Sequence, residues 1–445
     1  MHLDVHTADG FTATQSAKPM VAQTEPLAWL LGFWRDHPGT VIFVVSLAVR
    51  IVFILVYGAG TPPVMWGDDN AYDAIAMRLV TKHELAYSVY PIGYSLFLAL
   101  IYGVFGQQWF VVRLLQGALG GATCVLTYRL GTKVFDGRVG RLAGLLLAFY
   151  PGHVYMSWRI MAETLFIFLL VWALNIAVRL ARQPVLRGAV ALGLLIGAAQ
   201  LVKSNLYVFP ALLVAWSVLA LGGSIRQRLA LSCCLAGSFL VVSLVTPLGN
   251  LLSTGGAAVL PGSAGRTLWV SNNPLADGYQ ISPTNMRPAI KAFIEAHGLT
   301  ARLARAPESE KDRLFLELGL AWIRENPGRF LILCLKKLDN AFGLFPRAVT
   351  FEGSRTTEAV HLMSYGVLAP LALAGIIAAL RRHRVVCAPL FLTLLGYIFM
   401  VLLFYGTPRF TIVVMPVLIV FASSALWTCA DHSSLSHPPL ACAGH

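Results

Sequence analysis

The residues best suited to chemistry are six ionisable groups spread along most of the chain. Two are adjacent carboxylates in the run Trp66-Gly67-Asp68-Asp69-Asn70-Ala71-Tyr72-Asp73. They follow a long apolar segment and open a predicted helix. An Asp pair there either caps the helix by accepting from its unpaired N–H groups or offers carboxylates to a substrate. A third carboxylate, Glu163, opens the apolar run Glu163-Thr164-Leu165-Phe166. An ionisable group at such a place is a functional candidate, although Arg159, four residues earlier, would pair with it on a continuous helix. The cations of interest are Arg159, Lys203 and Arg409, the last within Tyr405-Gly406-Thr407-Pro408-Arg409-Phe410. Cations at a membrane boundary suit a lipid phosphate or snorkel to headgroups. Arg50 reads as structural, and His83 and His153 read as polar surface residues. The chain has no His-Glu-x-x-His, no phosphate-cradling Gly-rich loop with Lys and no Gly-x-Ser-x-Gly.

The elements that must position these groups are membrane helices. Hydrophobic residues make up 57% of the chain and charged residues 12%, against about 25% charged in a soluble domain. Apolar stretches of transmembrane length recur. The net charge of +13 does not indicate nucleic acid, because the basic residues gather in short loops between apolar segments, the positive-inside pattern. Clusters at Arg129/Lys133/Arg138/Arg141, Arg179/Arg182/Arg187, Arg226/Arg228 and Arg381/Arg382/Arg384 are therefore assigned to the cytoplasm. The first span, Val41–Tyr57, reads as an uncleaved anchor. Spans follow at Phe110–Leu130, Val139–Trp158, Ile160–Leu180, Leu229–Leu248, Val360–Leu380, Val385–Phe404 and Phe410–Trp427. Gly188–Leu221 as one helix would be about 50 Å long, against a bilayer core of roughly 30 Å. It is read as two short spans broken near Lys203-Ser204-Asn205. Parity leaves Ile92–Gly106 dipping into the outer leaflet and Phe330–Phe345 lying on the surface.

The expected fold is an all-α polytopic membrane protein of about ten crossings, eleven being the alternative, with outer juxtamembrane helices and one long outer loop. Its divisions are a cytoplasmic polar tail at 1–39 and a seven-helix module at 40–249 with a first outer loop at 59–109. A long outer loop at 250–327, C-terminal membrane helices at 328–428 and a cytoplasmic tail at 429–445 complete it. In the long loop, Leu314, Phe315, Leu318, Ala321 and Trp322 fall on one helical face. Trp66, Tyr72 and Tyr87 suit interface anchors, and the seven cysteines read mostly as small buried hydrophobes. In this topology Asp68, Glu163, Lys203 and Arg409 share the outer side.

The order of motifs resembles the GT-C superfamily of polyprenyl-phosphate-dependent glycosyltransferases, and within it the bacterial relatives of protein O-mannosyltransferases and lipid A aminoarabinose transferases. The matching residues are Asp68-Asp69 with Ala71-Tyr72 and Ala76, then Tyr90-Pro91-Ile92-Gly93-Tyr94, then Arg113 and Gln116. Arg141-Leu142-Ala143, Pro151, Arg159 with Glu163, Asn272-Asn273-Pro274 and Asn326-Pro327 with Arg329-Phe330 continue the series. The resemblance implies Asp68 as base on the acceptor with Asp69 beside it, and Glu163 as the second catalytic carboxylate. The aminoarabinose transferases carry a lysine where this chain has Tyr90, so the donor phosphate is assigned to Lys203, Arg409 and Arg159.

The chemistry is consistent with that assignment. A polyprenyl-phosphate sugar is already activated, so the protein must supply a base for the acceptor hydroxyl and positive charge for the departing phosphate. No nucleotide is required. Paired carboxylates are also compatible with a divalent metal, which the sequence does not demand. The implied activity is transfer of a hexose or pentose from polyprenyl phosphate to a glycan, lipid or protein acceptor, at the outward face of the bacterial cytoplasmic membrane. The alternatives are a transporter or flippase, which would favour inverted halves with interrupted helices, and a ligase using a lipid diphosphate.

The charge-based topology makes a direct prediction. In a cysteine-free background, a cysteine at Thr284 should react with a membrane-impermeant thiol reagent from outside, and one at Ser224 should not. The reverse labelling would invert the orientation.

Overall fold

A backbone surrounded by hydrocarbon must pair every N–H and C=O within itself, which favours helices wherever long apolar runs occur. The computed structural model describes residues 32–62, 68–83, 90–204, 206, 208–254, 264–278, 291–306, 308–344, 355–382 and 385–435. No strand is present among them. The helices are α1 (Pro38–Tyr57), α2 (Asp68–Lys82), α3 (Ile92–Phe105), α4 (Trp109–Val134), α5 (Gly137–Phe149), α6 (Pro151–Trp158), α7 (Glu163–Arg182), α8 (Leu186–Val202), α9 (Phe209–Ala220) and α10 (Ile225–Ser243). They continue with α11 (Val245–Thr254), α12 (Ala264–Ser271), α13 (Thr300–Arg305), α14 (Glu308–Glu325), α15 (Pro327–Phe342), α16 (Arg355–His361), α17 (Val367–Arg382), α18 (Ala388–Leu403), α19 (Pro408–Thr411) and α20 (Met415–Leu435).

Among the described residues, seven helical segments are long and apolar enough to cross a membrane: Pro38–Tyr57, Trp109–Val134, Glu163–Arg182, Ile225–Gly249, Glu358–Arg381, Val385–Leu403 and Pro408–Trp427. Shorter apolar helices are Ile92–Phe105, Leu186–Val202 and Phe209–Ala220. The chain is an all-α, multi-pass membrane protein. Pro408–Trp427 is the central pillar, 83% buried across its apolar window, whereas Ile225–Gly249 is 17% buried and peripheral. The pillar packs on α17 and α5, α4 packs on α1, α5 and α7, and α8 lies between α7 and α10. Outward faces such as Val44, Val52, Leu55 and Val56 on α1 are exposed and apolar, as a lipid-facing helix requires.

The expected single span Val139–Trp158 is instead two helices, α5 and α6. The break follows from Pro151, which pushes the preceding residue into an extended conformation. Tyr150 accordingly has φ −65° and ψ 115°, and Pro151 starts α6. Arg159 at the end of α6 is again extended, with φ −69° and ψ 139°. A helix end leaves its last carbonyls without partners, and here α4 supplies them. Arg113 Nε donates to Trp158 O (2.9 Å), and Gln116 Nε2 donates to Ser157 O (3.2 Å) and Arg159 O (2.8 Å). Arg50 supports the same junction by donating to Ser157 Oγ (3.1 Å) and Ala148 O (3.3 Å). It is fully buried, in agreement with its structural reading.

The Pro-Ile-Gly-Tyr segment at 91–94 now has a physical account. Pro91 precedes α3, and Gly93 lets α3 touch α8, because a Cβ there would lie 2.7 Å from the carbonyl of Leu201. Tyr94 OH donates to Gln116 Oε1 (2.7 Å), which orients the amide that caps α6. In the C-terminal half, Lys337 on α15 is buried and donates to Asn272 Oδ1 (2.8 Å) and Leu402 O (3.0 Å). Asn272 Nδ2 donates to Leu403 O (2.8 Å), so the segment after α12, α15 and the end of α18 are joined. Leu331, Ile332 and Leu335 of α15 remain exposed. On α14, Leu314, Phe315 and Trp322 are buried, as the periodicity predicted.

Several expectations change. Tyr72 is 3% exposed and packs against Tyr90 and Tyr94, so it is no interface anchor. His153 is buried rather than at the surface, and its Nε2 lies 3.0 Å from Ile412 O. Cys124, Cys334 and Cys387 are buried, whereas Cys233 is exposed on α10. Trp66, Tyr87, Thr284 and most of both tails lie outside the described residues.

The α3–α8 contact can be tested within one helix. Gly93→Ala should destabilise the detergent-solubilised protein by about 1–3 kcal/mol, the usual cost of overpacking. Gly103→Ala meets no atom within 4 Å and should be neutral or stabilising by up to about 1 kcal/mol through helix propensity. Equal melting temperatures for the two variants would contradict the close approach.

Candidate active site

Asp68 and Asp69 occupy the first turn of α2, where negative charge is favoured by the helix dipole. The body of α2 is held by Asp73, which accepts from Tyr102 OH (2.5 Å), Gln107 Nε2 (2.8 Å) and Trp109 Nε1 (3.1 Å). This clamp fixes α2 against the corner between α3 and α4. Asp69 is buried and accepts a two-pronged contact from Arg159, Nε to Oδ2 at 2.6 Å and Nη2 to Oδ1 at 2.5 Å. Such forks are among the stronger polar contacts. Arg159 Nη1 also donates to Tyr155 OH (2.9 Å). Burial alone would lower the guanidinium's pKa, but Asp69 more than compensates and raises it. The Arg159–Glu163 pair expected from helical spacing does not form. That spacing presumes one helix through both residues, and the chain is broken between them.

Glu163 instead turns to two other elements. Its side chain is fully buried, and Oε1 accepts from Lys203 Nζ (3.0 Å) and Arg409 Nε (2.6 Å). Its Oε2 has no hydrogen-bond partner. Lys203 sits just past the end of α8 and Glu163 at the start of α7, each at the helix end that suits its charge. Arg409 sits in the first turn of α19, where the dipole disfavours it. Thr407 Oγ1 accepts from Phe410 N (3.4 Å), Pro408 begins the turn, and Gly406 allows close contact with α15, where a Cβ would lie 2.1 Å from Lys337 O. The turn aims Arg409 Nη2 to within 2.7 Å of Asp68 Oδ2.

Asp68 is the most accessible of the three carboxylates, with its side chain 32% exposed against 2% for Asp69 and 0% for Glu163. Its Oδ1 accepts from Tyr90 OH (3.1 Å). Burial would raise its pKa, but Arg409 and Lys203 outweigh that and hold the carboxyl below its ordinary value. Four of the six residues singled out from the sequence, Asp68, Glu163, Lys203 and Arg409, thus form one contact cluster, formally neutral, and Asp69 with Arg159 forms a separate ion pair that adjoins it through Asp68. Tyr90, Asp73 and Tyr155 were not anticipated in these roles. Only Tyr90 carried a signal, as the position where the resemblance broke. Among the described residues no group of three or more His, Cys, Asp and Glu side chains gathers as a metal set. Each of the three carboxylates faces a cation, so as arranged they do not fit a divalent ion.

An apolar cavity of about 280 Å³ is bordered by Val208, Leu268, Leu316, Phe399, Leu403 and Phe404, and none of the six ionisable residues lines it. Val208 and Phe404 are five residues from Lys203 and Arg409, respectively.

Residues 89–249 match the dolichyl-phosphate-mannose-protein mannosyltransferase family. That segment contains Tyr90, Arg159, Glu163 and Lys203. No curated protein sequence matches the chain. The fold is similar to that of the Archaeoglobus fulgidus oligosaccharyltransferase AglB, solved in complex with an inhibitory peptide and a dolichol-phosphate: TM-score 0.52 at 16% identity, over 91% of this chain and 51% of that one. The same archaeal enzyme tethered to an acceptor peptide gives TM-score 0.54 at 14% identity, over 91% and 51%. ArnT from Cupriavidus metallidurans, bound to undecaprenyl phosphate, overlays more loosely, at TM-score 0.38 and 15% identity over 94% and 82%. The chain spans about half the length of the archaeal enzyme. The helical architecture is thus similar to that of the archaeal oligosaccharyltransferase, and the match to the mannosyltransferase family covers residues 89–249.

Proposed function

We propose that this protein transfers a sugar, hexose or pentose, from a polyprenyl-phosphate donor to an acceptor hydroxyl at the outer face of a bacterial cytoplasmic membrane. The observation that carries this reading is the sharing of Arg409 between Asp68, at 2.7 Å, and Glu163, at 2.6 Å. A candidate base and candidate phosphate ligands are in contact at one end of the bundle. AglB has been solved with a dolichol-phosphate, and the cavity bordered by Phe399 and Phe404 has the apolar lining that a prenyl chain needs.

In this mechanism the donor phosphate draws Arg409 and Lys203 towards itself, with Arg159 at the edge of the same field. Arg409 leaves Asp68 Oδ2, and that oxygen turns to the acceptor. The acceptor oxygen bonds to the anomeric carbon and its proton passes to Asp68. The bond between the anomeric carbon and the phosphate oxygen breaks, and polyprenyl phosphate leaves with the electron pair. The cations stabilise charge as it develops on the leaving oxygen. A singly charged phosphodiester leaves the formerly neutral cluster with one net negative charge, which makes Asp68 a better proton acceptor at the moment it is needed. Asp69 is committed to Arg159 and Glu163 is enclosed, so neither competes for the proton. The acceptor class is a glycan, a lipid or a protein.

Asp68→Asn keeps the shape and removes the proton acceptor. General-base catalysis supplies about 10²–10⁴-fold in rate, so transfer from labelled polyprenyl-phosphate sugar should fall by that order while the donor still binds. Asp69→Asn should be milder. Full transfer by folded Asp68→Asn protein would remove Asp68 as base, and transfer only from a lipid diphosphate sugar would replace the donor class.

A further inference from the structure

The two oxygens of Asp68 have different partners. Oδ2 faces Arg409 at 2.7 Å, and Oδ1 accepts from Tyr90 OH at 3.1 Å. On the reading proposed above, Arg409 is the partner that must let go when the donor phosphate arrives. A carboxylate on an exposed helix end would then be free to rotate, unless a second contact held it. Tyr90 is built to hold it. Its ring packs edge-on against buried Tyr72, with centroids 5.1 Å apart, and Tyr72 packs in turn against Tyr94 at 5.0 Å. Tyr90 stands immediately before Pro91, which restricts its backbone, and α3 behind it is pinned to α8 through Gly93. The hydroxyl therefore approaches Asp68 from a rigid aromatic stack that does not take part in the ion cluster.

We propose that Tyr90 is the positioning residue for Asp68: it holds Oδ1 and leaves Oδ2 as the proton-accepting oxygen once Arg409 engages the donor. This inference rests on Asp68 being the base. Two consequences follow from a hydroxyl donating to a carboxylate. The lone pairs of Oδ2 acquire a fixed direction, and the ionised form is favoured over the protonated one. The tyrosine itself stays protonated, since burial foremost and then the neighbouring Asp68 push its ionisation upward. The other groups acting on Asp68 are Arg409 and Lys203, which favour its ionised form, and Glu163, which opposes it. Tyr90 differs from all three in being uncharged, so phosphate binding does not recruit it away.

The test is the pH dependence of transfer at saturating donor for wild type, Tyr90→Phe, Tyr90→His and Asp68→Asn. Tyr90→Phe preserves the ring stack and removes only the donor. Activity is lost as pH falls through the pKa of the base. Loss of a stabilising hydrogen bond raises that pKa, so the acid limb of kcat should move to higher pH, by about one unit for a bond to a charged group. The KM for donor should stay within about twofold, because the aromatic wall and the cations are intact. Tyr90→His, which retains a ring N–H, should recover part of the shift. An acid limb unchanged in Tyr90→Phe, with Asp68→Asn inactive, overturns the role of Tyr90 and leaves the base assignment standing. Wild-type transfer by Asp68→Asn overturns the base assignment itself. A uniform fall in kcat at all pH values, with no limb shift and no recovery in Tyr90→His, marks Tyr90 as packing only and also overturns the proposal.

Discussion

Arg409 reaches two carboxylates at once from the first turn of a helix whose dipole disfavours it. Glu163 Oε1 lies 2.6 Å from its Nε, and Asp68 Oδ2 lies 2.7 Å from its Nη2. A guanidinium removed from water in this way is tolerated only while its counter-charges stay close, because a buried charge that loses its partner destabilises by several kcal/mol. The requirement runs in both directions. Glu163 needs Lys203 and Arg409, and those cations need Glu163 and Asp68. Four separate stretches of chain, at α2, α7, the end of α8 and α19, are therefore drawn to one end of the bundle. The cluster is neutral at rest and loosely satisfied, with one oxygen of Glu163 left without a hydrogen bond. On the proposed reading, that arrangement suits an anionic substrate that competes for the cations.

Holding such a cluster requires broken helices, and broken helices expose carbonyls. Buried polar residues answer that need. Arg113 and Gln116 cap the end of α6, Arg50 ties α6 to α1, and Lys337 with Asn272 closes the end of α18. Each satisfies backbone groups that neither lipid nor a neighbouring turn would satisfy. The structural polar residues and the ion pairs at Asp68, Asp69 and Glu163 are thus two layers of one design. The inner layer is spent on carbonyls, and the outer layer faces an accessible surface at Asp68.

Much of this was legible in the sequence. Apolar runs of membrane length gave the helices, and the excessive length of Gly188–Leu221 required the break that presents Lys203. The six ionisable residues stood out because charge is costly in apolar surroundings, and the structure gathers them. What could not be read was their pairing. Arg159 and Glu163 are spaced for a helical pair, yet Pro151 and the extended Arg159 divide that segment, and Arg159 turns to Asp69 across 90 residues. Likewise, Arg409 finds Glu163 across 246 residues, a contact that depends on tertiary packing and leaves no local pattern. Tyr72 and Tyr90 looked interfacial or merely divergent, because aromatic type alone does not distinguish a headgroup anchor from a wall behind a carboxylate. Gly93 could be noticed as part of a motif, but its reason, the passage of α8 within contact distance, belongs to the fold.

The central claim is that Arg409 exchanges Asp68 for the donor phosphate, with Lys203 beside it and Glu163 kept as their shared counter-charge, while Asp68 is released towards the acceptor. A cryo-EM structure of the protein with a non-hydrolysable polyprenyl-phosphonate sugar tests it most directly. The account predicts phosphonate oxygens within about 2.7–3.0 Å of Arg409 and Lys203, the usual range for charge-assisted contacts. It also predicts the prenyl chain in the apolar cavity at Phe399 and Phe404, and Asp68 Oδ2 parted from Arg409 and facing the space from which the acceptor hydroxyl attacks the anomeric carbon. A phosphonate bound elsewhere, with the Arg409–Asp68 contact unchanged, would contradict it.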